Sequence, residues 1–366
     1  MAIKINPMTA PYMCYINLTN KCNLRCLHCL GDYSEACNSE LSYGEWKQVI
    51  DDLISLGIFY INVSGGEPTQ HPHFDKIIDY LSYKGMHFIL TTNGIMSKKA
   101  KDAILRNKDY LVGVKVSLDG YDAKSHCTIR KIGGSEYTPQ LFKQTMHIIM
   151  ELKRENIPLT ITTVIHSGNI LKFNKFVSLI KDINPISWFI SPIIPSGRGN
   201  YADEIVKHYN YFDKSFWEQI VNKCKMHSIN VNLVDLSYDM SGKNAIDYYE
   251  CGATISFCEI NADGKVSPCT LCRTCIPEEK MRFDNIRNKA LKEIWQGKTF
   301  NKFRNFMTKG CRGCKAFPKC TKCIAQSFRY FGNGISPTPY CIRDGQQRGL
   351  VCIKLPRQVI SSRRQK

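Results

Sequence analysis

Three cysteines crowd into the stretch Cys22-Asn23-Leu24-Arg25-Cys26-Leu27-His28-Cys29, spaced three and then two residues apart. Thiolates this close on one loop can grip three corners of a cubane iron–sulfur cluster and leave the fourth iron without a protein ligand. Such a corner resembles the open coordination position of a catalytic zinc, a place for a substrate to bind. A structural zinc knot is the competing reading, but zinc wants a fourth ligand close by. His28 lies between two of the cysteines, where its side chain is poorly placed to close the same tetrahedron. Farther on, Ser64-Gly65-Gly66-Glu67-Pro68 joins two glycines, which let backbone approach a ligand closely, to a carboxylate that can accept hydrogen bonds from an ammonium. A second cysteine field holds ten of the eighteen cysteines between positions 251 and 341. Its Cys-x2-Cys pairs suit zinc and iron–sulfur clusters equally well.

Regular elements must position these groups. Residues 12–19 alternate, with Cys14, Ile16 and Leu18 on one side and Met13, Tyr15, Asn17 and Thr19 on the other, so a first strand feeds the cysteine loop. A helix is expected over Ser42–Leu56, with Ser42 and Glu45 spaced as a capping box and Trp46, Val49, Ile50 and Leu53 as its apolar stripe. Strands follow at Ile58–Ser64, His87–Thr92, Val112–Leu118, Leu159–His166 and Ser187–Ser191. Helices fall between them around Phe74–Tyr83, Ser97–Asn107, Thr138–Glu155 and Leu171–Ile180. Strict alternation of this kind means parallel strands with right-handed crossovers, which doubly wound and barrel folds both satisfy. The cysteine loop follows strand one and the Gly-Gly-Glu loop follows strand two, so both lie at carboxyl ends, where such sheets carry their sites. Residues 193–250, with a helix near Asp213–His227 and a strand at Val231–Leu236, read as a bridge. Ile260–Val266 reads as a hairpin turned on Asp263-Gly264.

Composition narrows the classes. The chain has 366 residues, enough for a core of about 200–250 residues and a smaller second unit. Met1–Pro11 has no apolar signal region, and no stretch nears the ~18 apolar residues of a membrane span. Eighteen cysteines without a secretion signal argue for metal ligands in a reducing cytoplasm rather than disulfides. The formal charge of +18 would attract acidic peptides or nucleic acid. Yet the basic residues are spread along the chain apart from the tail at 363–366, and no basic run is interleaved with aromatics, which counts against nucleic acid.

The cysteine octet resembles the signature of the radical S-adenosylmethionine enzymes, and Gly65-Gly66-Glu67-Pro68 is similar to that family's glycine-rich stretch. The resemblance implies an open partial (β/α)6 barrel of the TIM type over residues 12–192. Cys22, Cys26 and Cys29 would hold a [4Fe-4S] cluster, and S-adenosylmethionine would sit at its open iron. Gly65, Gly66 and Glu67 would hold the methionyl amine, His28 would lie near the adenine, Ser117 and Arg130 would handle the carboxylate or ribose, and Ser191 would line the adenine pocket. The second field resembles the SPASM domain, the cysteine-rich twin-cluster domain of peptide-modifying members, here expected over 251–345 before a basic tail at 346–366. By that resemblance an inner auxiliary [4Fe-4S] cluster would take Cys251, Cys258, Cys269 and Cys323, and an outer one Cys311, Cys314, Cys320 and Cys341. The interval before Cys323 is two residues where the family has three, so Cys272 and Cys275 stand as substitutes. Three such clusters on eleven thiolates would lower the net charge to roughly +13. Cys127, in the loop after strand four, is a candidate hydrogen-atom donor. Cys14, Cys37, Cys224 and Cys352 lack partner spacing and read as structural thiols.

Cleaving an unactivated C–H bond lies beyond side-chain acids and bases, so the cofactor must supply that chemistry. The resemblance implies maturation of a ribosomally made peptide through a 5′-deoxyadenosyl radical, closing a thioether or carbon–carbon crosslink. Peptide epimerisation, dehydrogenation of a sulfatase residue or small alcohol, and RNA modification are the alternatives. A flavodoxin- or ferredoxin-type donor would deliver the electron. Because strand one begins near the first residue, recognition of a leader peptide is expected from a separate protein or from the barrel mouth.

Overall fold

The computed structural model describes residues 8–133, 138–194, 196–201, 214–233, 251–308 and 323–336. Its first strand, β1 (Met13–Asn17), leads through the cysteine loop to α1 (Tyr43–Ser55), whose capping box forms as expected between Ser42 and Glu45. The α1 stripe of Trp46, Val49, Ile50 and Leu53 is buried. Each such side chain contributes about 1.5–3 kcal/mol, so the stripe outweighs the cap, which contributes about 1 kcal/mol. The alternation then runs β2 (Tyr60–Ser64), α2 (Phe74–Tyr83), β3 (Phe88–Thr92), α3 (Lys98–Arg106) and β4 (Leu111–Ser117). Next come the short α4 (Ala123–His126), α5 (Gln140–Arg154), β5 (Leu159–Val164), the short α6 (Ser167–Ile170), α7 (Phe173–Ile183) and β6 (Ser187–Ser191).

Strands β1 to β6 are parallel and neighbour one another in chain order, giving the open partial barrel. One face of each strand is apolar and packs under the helices: Ile61 and Val63, Leu90, Val114 and Val116, Ile161, Trp188 and Ile190 are all buried. The alternate residues, among them Asn62, Thr91, Lys115, Ser117 and Thr162, turn to the inside, as the two-residue strand period requires. The interior is therefore polar while the outer layer is the core.

Both sheet edges depart from the sequence expectation. The bridge helix α8 (Lys214–Met226) leads into β7 (Val231–Leu233), which pairs parallel with β6 as a seventh barrel strand instead of forming a loose connection. At the other edge, β8 (Phe257–Ile260) pairs parallel with β1 and turns back into β9 (Val266–Ser267). The expected hairpin exists, with Gly264 at φ 82° in its turn. It extends the barrel sheet to nine strands and covers an edge of β1 that would otherwise present unpaired backbone. Beyond it lie α9 (Thr270–Cys275), α10 (Leu291–Gln296), α11 (Lys298–Thr308) and α12 (Ile324–Phe331). Leu271, Phe303, Ile324 and Phe328 form a second apolar core there, and Cys251, Cys269, Cys272, Cys275 and Cys323 cluster in it. Among the described residues no helix is long and apolar enough to cross a membrane.

Replacing Ser42 with alanine removes the bond from Glu45 N–H to the Ser42 hydroxyl and leaves the bond from Ser42 N–H to the Glu45 carboxylate. The expected loss is about 1 kcal/mol, read as a lower urea midpoint with an unchanged slope.

Candidate active site

A cavity of about 280 Å³ opens at the carboxyl ends of the barrel strands. Cys22, Cys26 and Cys29 line one side of it, and Gly65, Gly66, Glu67, Ser117, Arg130 and Ser191 line the rest together with His28. Every residue expected to touch S-adenosylmethionine thus meets in one space, although these residues span more than 160 positions of the chain.

The cysteine loop is held from several sides. Cys22 N–H donates to Ser34 O at 2.8 Å, Arg25 N–H to Lys131 O at 2.6 Å and Leu27 N–H to Ile129 O at 2.8 Å. Arg198 clasps the far end, its own N–H donating to Cys29 O at 3.0 Å and its Nε to Cys26 O at 2.8 Å. Burial pushes the Cys22 thiol up to about 12 and raises Cys26 as well, against the lowering effect of Arg130. Thiols in this setting ionise only with a positive centre among them, and an iron–sulfur core is such a centre.

The Gly-Gly-Glu loop works differently from the expectation. The space left by its missing side chains is taken by the protein itself. A Cβ on Gly65 would stand 2.6 Å from Thr19 O, and one on Gly66 would stand 2.5 Å from Lys21 O. Gly66 N–H donates to Thr19 O and Glu67 N–H to Lys21 O, at 2.8 and 2.9 Å, so the glycines bring this loop against the entrance of the cysteine loop. The buried Glu67 carboxylate accepts from Thr69 and Thr92 hydroxyls at 2.7 and 2.9 Å through Oε1, and from Asn93 N–H at 2.8 Å through Oε2. It ties β2 to β3, and Oε2 keeps acceptor capacity toward the cavity.

The centre of the site's polar structure is Asp119, just past β4. Its fully buried Oδ2 accepts from Arg130 Nε at 2.6 Å and lies 3.5 Å from His28 Nε2, while Oδ1 accepts Val164 N–H at 2.8 Å. Burial alone would raise the Asp119 pKa, but the Arg130 charge, with His28 and His126, holds it at about 2. Asp119 O receives Nε2–H of His166 at 2.8 Å, and Asp119 N–H donates to His126 Nδ1 at 3.2 Å. His28 is held neutral, its pKa lowered to about 3 by burial, and its buried Nδ1 has no hydrogen-bond partner among the described residues. Sequence reasoning missed the role of Asp119 and those of His126 and His166. The only signal was a short run of His and Asp around strand ends, indistinguishable from ordinary capping groups. Arg130 itself is committed to Asp119, and its Nη1 reaches to 3.9 Å from Cys26 Sγ rather than standing free for a carboxylate.

A second cavity, about 270 Å³, is lined by Cys251, Cys269, Cys272 and Cys323. Burial raises the Cys272 pKa, and Cys269, at 3.5 Å between sulfurs, pushes it further, as do Cys323 and Cys251. Four thiols close enough to repel one another as thiolates suit a cationic cluster core among them. Thr270 lines both cavities, and its hydroxyl donates to the buried Glu259 at 2.5 Å.

Two site expectations are corrected by position. Cys258 does not line the second cavity. It sits on β8 opposite Cys14, sulfurs 3.9 Å apart, in the barrel core, because the hairpin is part of the sheet and this residue faces the helices. Cys127 does not line the first cavity. Its thiol donates to Thr138 O at 3.2 Å and packs with Leu24 and Leu141 behind the cysteine loop, so it is turned away from any substrate there. Cys311, Cys314, Cys320 and Cys341 lie outside the described residues.

Comparison with known proteins agrees with this geometry. The family model described as the Radical SAM superfamily matches residues 16–180, and SPASM, an iron–sulfur cluster-binding domain, matches residues 251–324. The chain is 28% identical to the AdoMet-dependent heme synthase of Methanosarcina barkeri, covering 91% of this chain and 97% of that one. It is 26% identical to the mycofactocin maturase MftC of Mycobacterium tuberculosis, covering 94% and 86%. Streptococcus suis SuiB bound to its precursor peptide SuiA has the same fold, with a TM-score of 0.74 at 17% identity over 91% of this chain and 76% of that one. The two domains bring with them S-adenosylmethionine, a [4Fe-4S] cluster that binds it, and auxiliary iron–sulfur clusters.

Changing Asp119 to asparagine keeps the shape but leaves the buried Arg130 guanidinium without its counter-charge. A loss of about 3–5 kcal/mol is expected, measured as a large drop in unfolding free energy.

Proposed function

We propose that this chain, an enzyme joining a radical SAM domain to a SPASM domain, modifies a ribosomally made peptide and closes a thioether or carbon–carbon crosslink in it. The observation that carries the reading is the shared wall of the two cysteine-lined cavities. Thr270 belongs to both, so a substrate oxidised in the first lies next to an electron acceptor in the second. Relatives named as a mycofactocin maturase and a PqqA peptide cyclase support the peptide as substrate class.

When bound, S-adenosylmethionine and its reduced cluster supply a deoxyadenosyl radical able to take hydrogen from an unactivated C–H bond, and the auxiliary clusters accept an electron. The residues of this chain bind, orient and shield. Cys22, Cys26 and Cys29 hold the first cluster. Arg130, fixed by Asp119, places a positive charge beside Cys26, which favours the reduced, more negative cluster. Glu67 Oε2 takes the methionyl ammonium, and His28 offers its unpartnered Nδ1 to the adenine edge. Ser117 and Ser191 receive the ribose from the strand ends. Cys251, Cys269, Cys272 and Cys323 hold the inner auxiliary cluster, Cys272 taking the place expected of Cys258. The outer cluster falls to Cys311, Cys314, Cys320 and Cys341, an electron arrives from a flavodoxin- or ferredoxin-type protein, and a separate protein presents the leader.

A second reading has its own support. The heme synthase of Methanosarcina barkeri is 28% identical and matched over 97% of its length, which favours a heme precursor as substrate. Anaerobic turnover separates the two. With a candidate precursor peptide, the proposal expects deoxyadenosine and a product lighter by two hydrogens. Deoxyadenosine formed only with a tetrapyrrole would overturn it. Cys26→Ala is expected to abolish deoxyadenosine under either reading.

Iron analysis tests the ligand set. Three cubanes give about twelve irons per chain. Cys272→Ala is expected to lose about a third of them and Cys258→Ala none, and the reverse pattern would restore Cys258 to the cluster.

A further inference from the structure

Among the residues of β1 to β6 that face the barrel interior, one carries a charge. Lys115 lies two residues before Ser117 on β4, and Phe189 lies two residues before Ser191 on β6. Because side chains two apart share a strand face, both stand one layer beneath residues that line the S-adenosylmethionine cavity. They meet across the interior, the Lys115 ammonium 5.5 Å from the centroid of the Phe189 ring, although β5 separates their strands. The strand neighbours of Lys115 in register are Thr91 on β3, which itself lines the cavity, and Thr160 on β5. Neither carries a charge.

Nothing in the described structure neutralises this ammonium. No ion pair or hydrogen bond to it exists among the described residues, in contrast to Lys98, Lys99 and Lys101 on α3, each of which meets a carboxylate within 3.0 Å. Burial alone pulls its pKa below the ordinary lysine value, with no acidic group acting on it. An uncompensated, largely desolvated cation costs stability and is retained where a ligand completes the pair.

We propose that Lys115 is the substrate-anchoring residue and that it takes a carboxylate of the peptide, an aspartate or glutamate side chain or the terminal carboxylate, directly beneath the reacting hydrogen. The inference rests on the peptide reading above and narrows it to substrates that place an anion next to the modified residue. A cation stacked on Phe189 and flanked by threonine hydroxyls would hold such a group in one orientation, which a radical abstraction needs if it is to take one hydrogen and leave its neighbours.

The test does not require turnover. Thermal unfolding of the reconstituted, anaerobic holoenzyme is followed with N-acetyl-glutamyl amide, its neutral isostere N-acetyl-glutaminyl amide, and N-acetylglycine, each at tens of millimolar and matched ionic strength. The expected result is a rise in melting temperature with a carboxylate probe and none with the amide, corresponding to at least tenfold weaker binding of the isostere. A response to the glutamyl probe assigns a side-chain carboxylate and a response to N-acetylglycine a chain terminus. Lys115→Met, which removes an unpaired half-buried charge and should fold with equal or higher melting temperature, is expected to lose the response, and Lys115→Arg to keep it. Equal response to charged and neutral probes, or a carboxylate response that survives in Lys115→Met, overturns the inference. Deoxyadenosine yield with peptide is scored separately, so a failed peptide reading with an intact carboxylate response is told apart from failure of Lys115.

Discussion

The site depends on two backbones running side by side without side chains between them. β1 and β2 pair in register up to Asn17 and Ser64, and the pairing continues past the strand ends through Leu18, Gly66 and Glu67. At Gly65 and Gly66 the distance to the Thr19–Lys21 carbonyls leaves no room for a methyl group. The cysteine loop therefore leaves the sheet in a direction set by the loop of the next strand. Glu67, fixed by Thr69, Thr92 and Asn93, carries that alignment on to β3. Three thiols separated by only a few residues would otherwise have many arrangements. Here the loop's first turn is decided before Cys22 is reached.

What was legible in the sequence follows from which forces are local. The α1 cap and its stripe, the ends of α2 and the bounds of β6 depend on neighbours within a turn or a strand, and periodicity reports them well. The cysteine loop and the Gly-Gly-Glu loop were legible as parts of one rim because they follow consecutive strands of an alternating chain, whereas Ser117, Arg130 and Ser191 were named through the family resemblance. Asp119 was not, because its partners Arg130, His126 and His166 come from loops whose meeting is decided by tertiary packing. Cys258 was misread for a related reason. Counting along a cysteine pattern treats spacing as position, whereas pairing of β8 with β1 decides which side of the sheet each hairpin residue faces. That pairing turns Cys258 into the core beside Cys14 and leaves Cys272, from the first turn of α9, at the cavity.

Buried charge divides the interior into two zones. Around Asp119, each charge is answered: the carboxylate by Arg130, its backbone by two histidines kept neutral by burial. A network satisfied to this degree is rigid, and rigidity is what a loop needs if its thiols are to present one geometry to a cluster. One layer down, Lys115 is answered among the described residues by an aromatic face. The charges of the first zone are paired within the protein; that of the second is not paired among the described residues.

The fused hairpin gives these zones a common frame. An auxiliary domain joined by a linker would let the distance between the cysteine cavities vary, and electron transfer would vary with it. Here β8 hydrogen-bonds along β1, the strand that carries the first cysteine loop, and α9 follows β9 after only two residues, at Ser267 and Thr270. Ser196 adds a second tie, its hydroxyl donating to Leu30 O at 3.2 Å while meeting Thr274 on α9. Arg273 closes a third, stacked over Tyr33 and reaching Gly31 O at 3.4 Å. Both cysteine-lined cavities therefore take residues from β1, Asn17 in the first and Tyr15 in the second, and Thr270 at the start of α9 lines both.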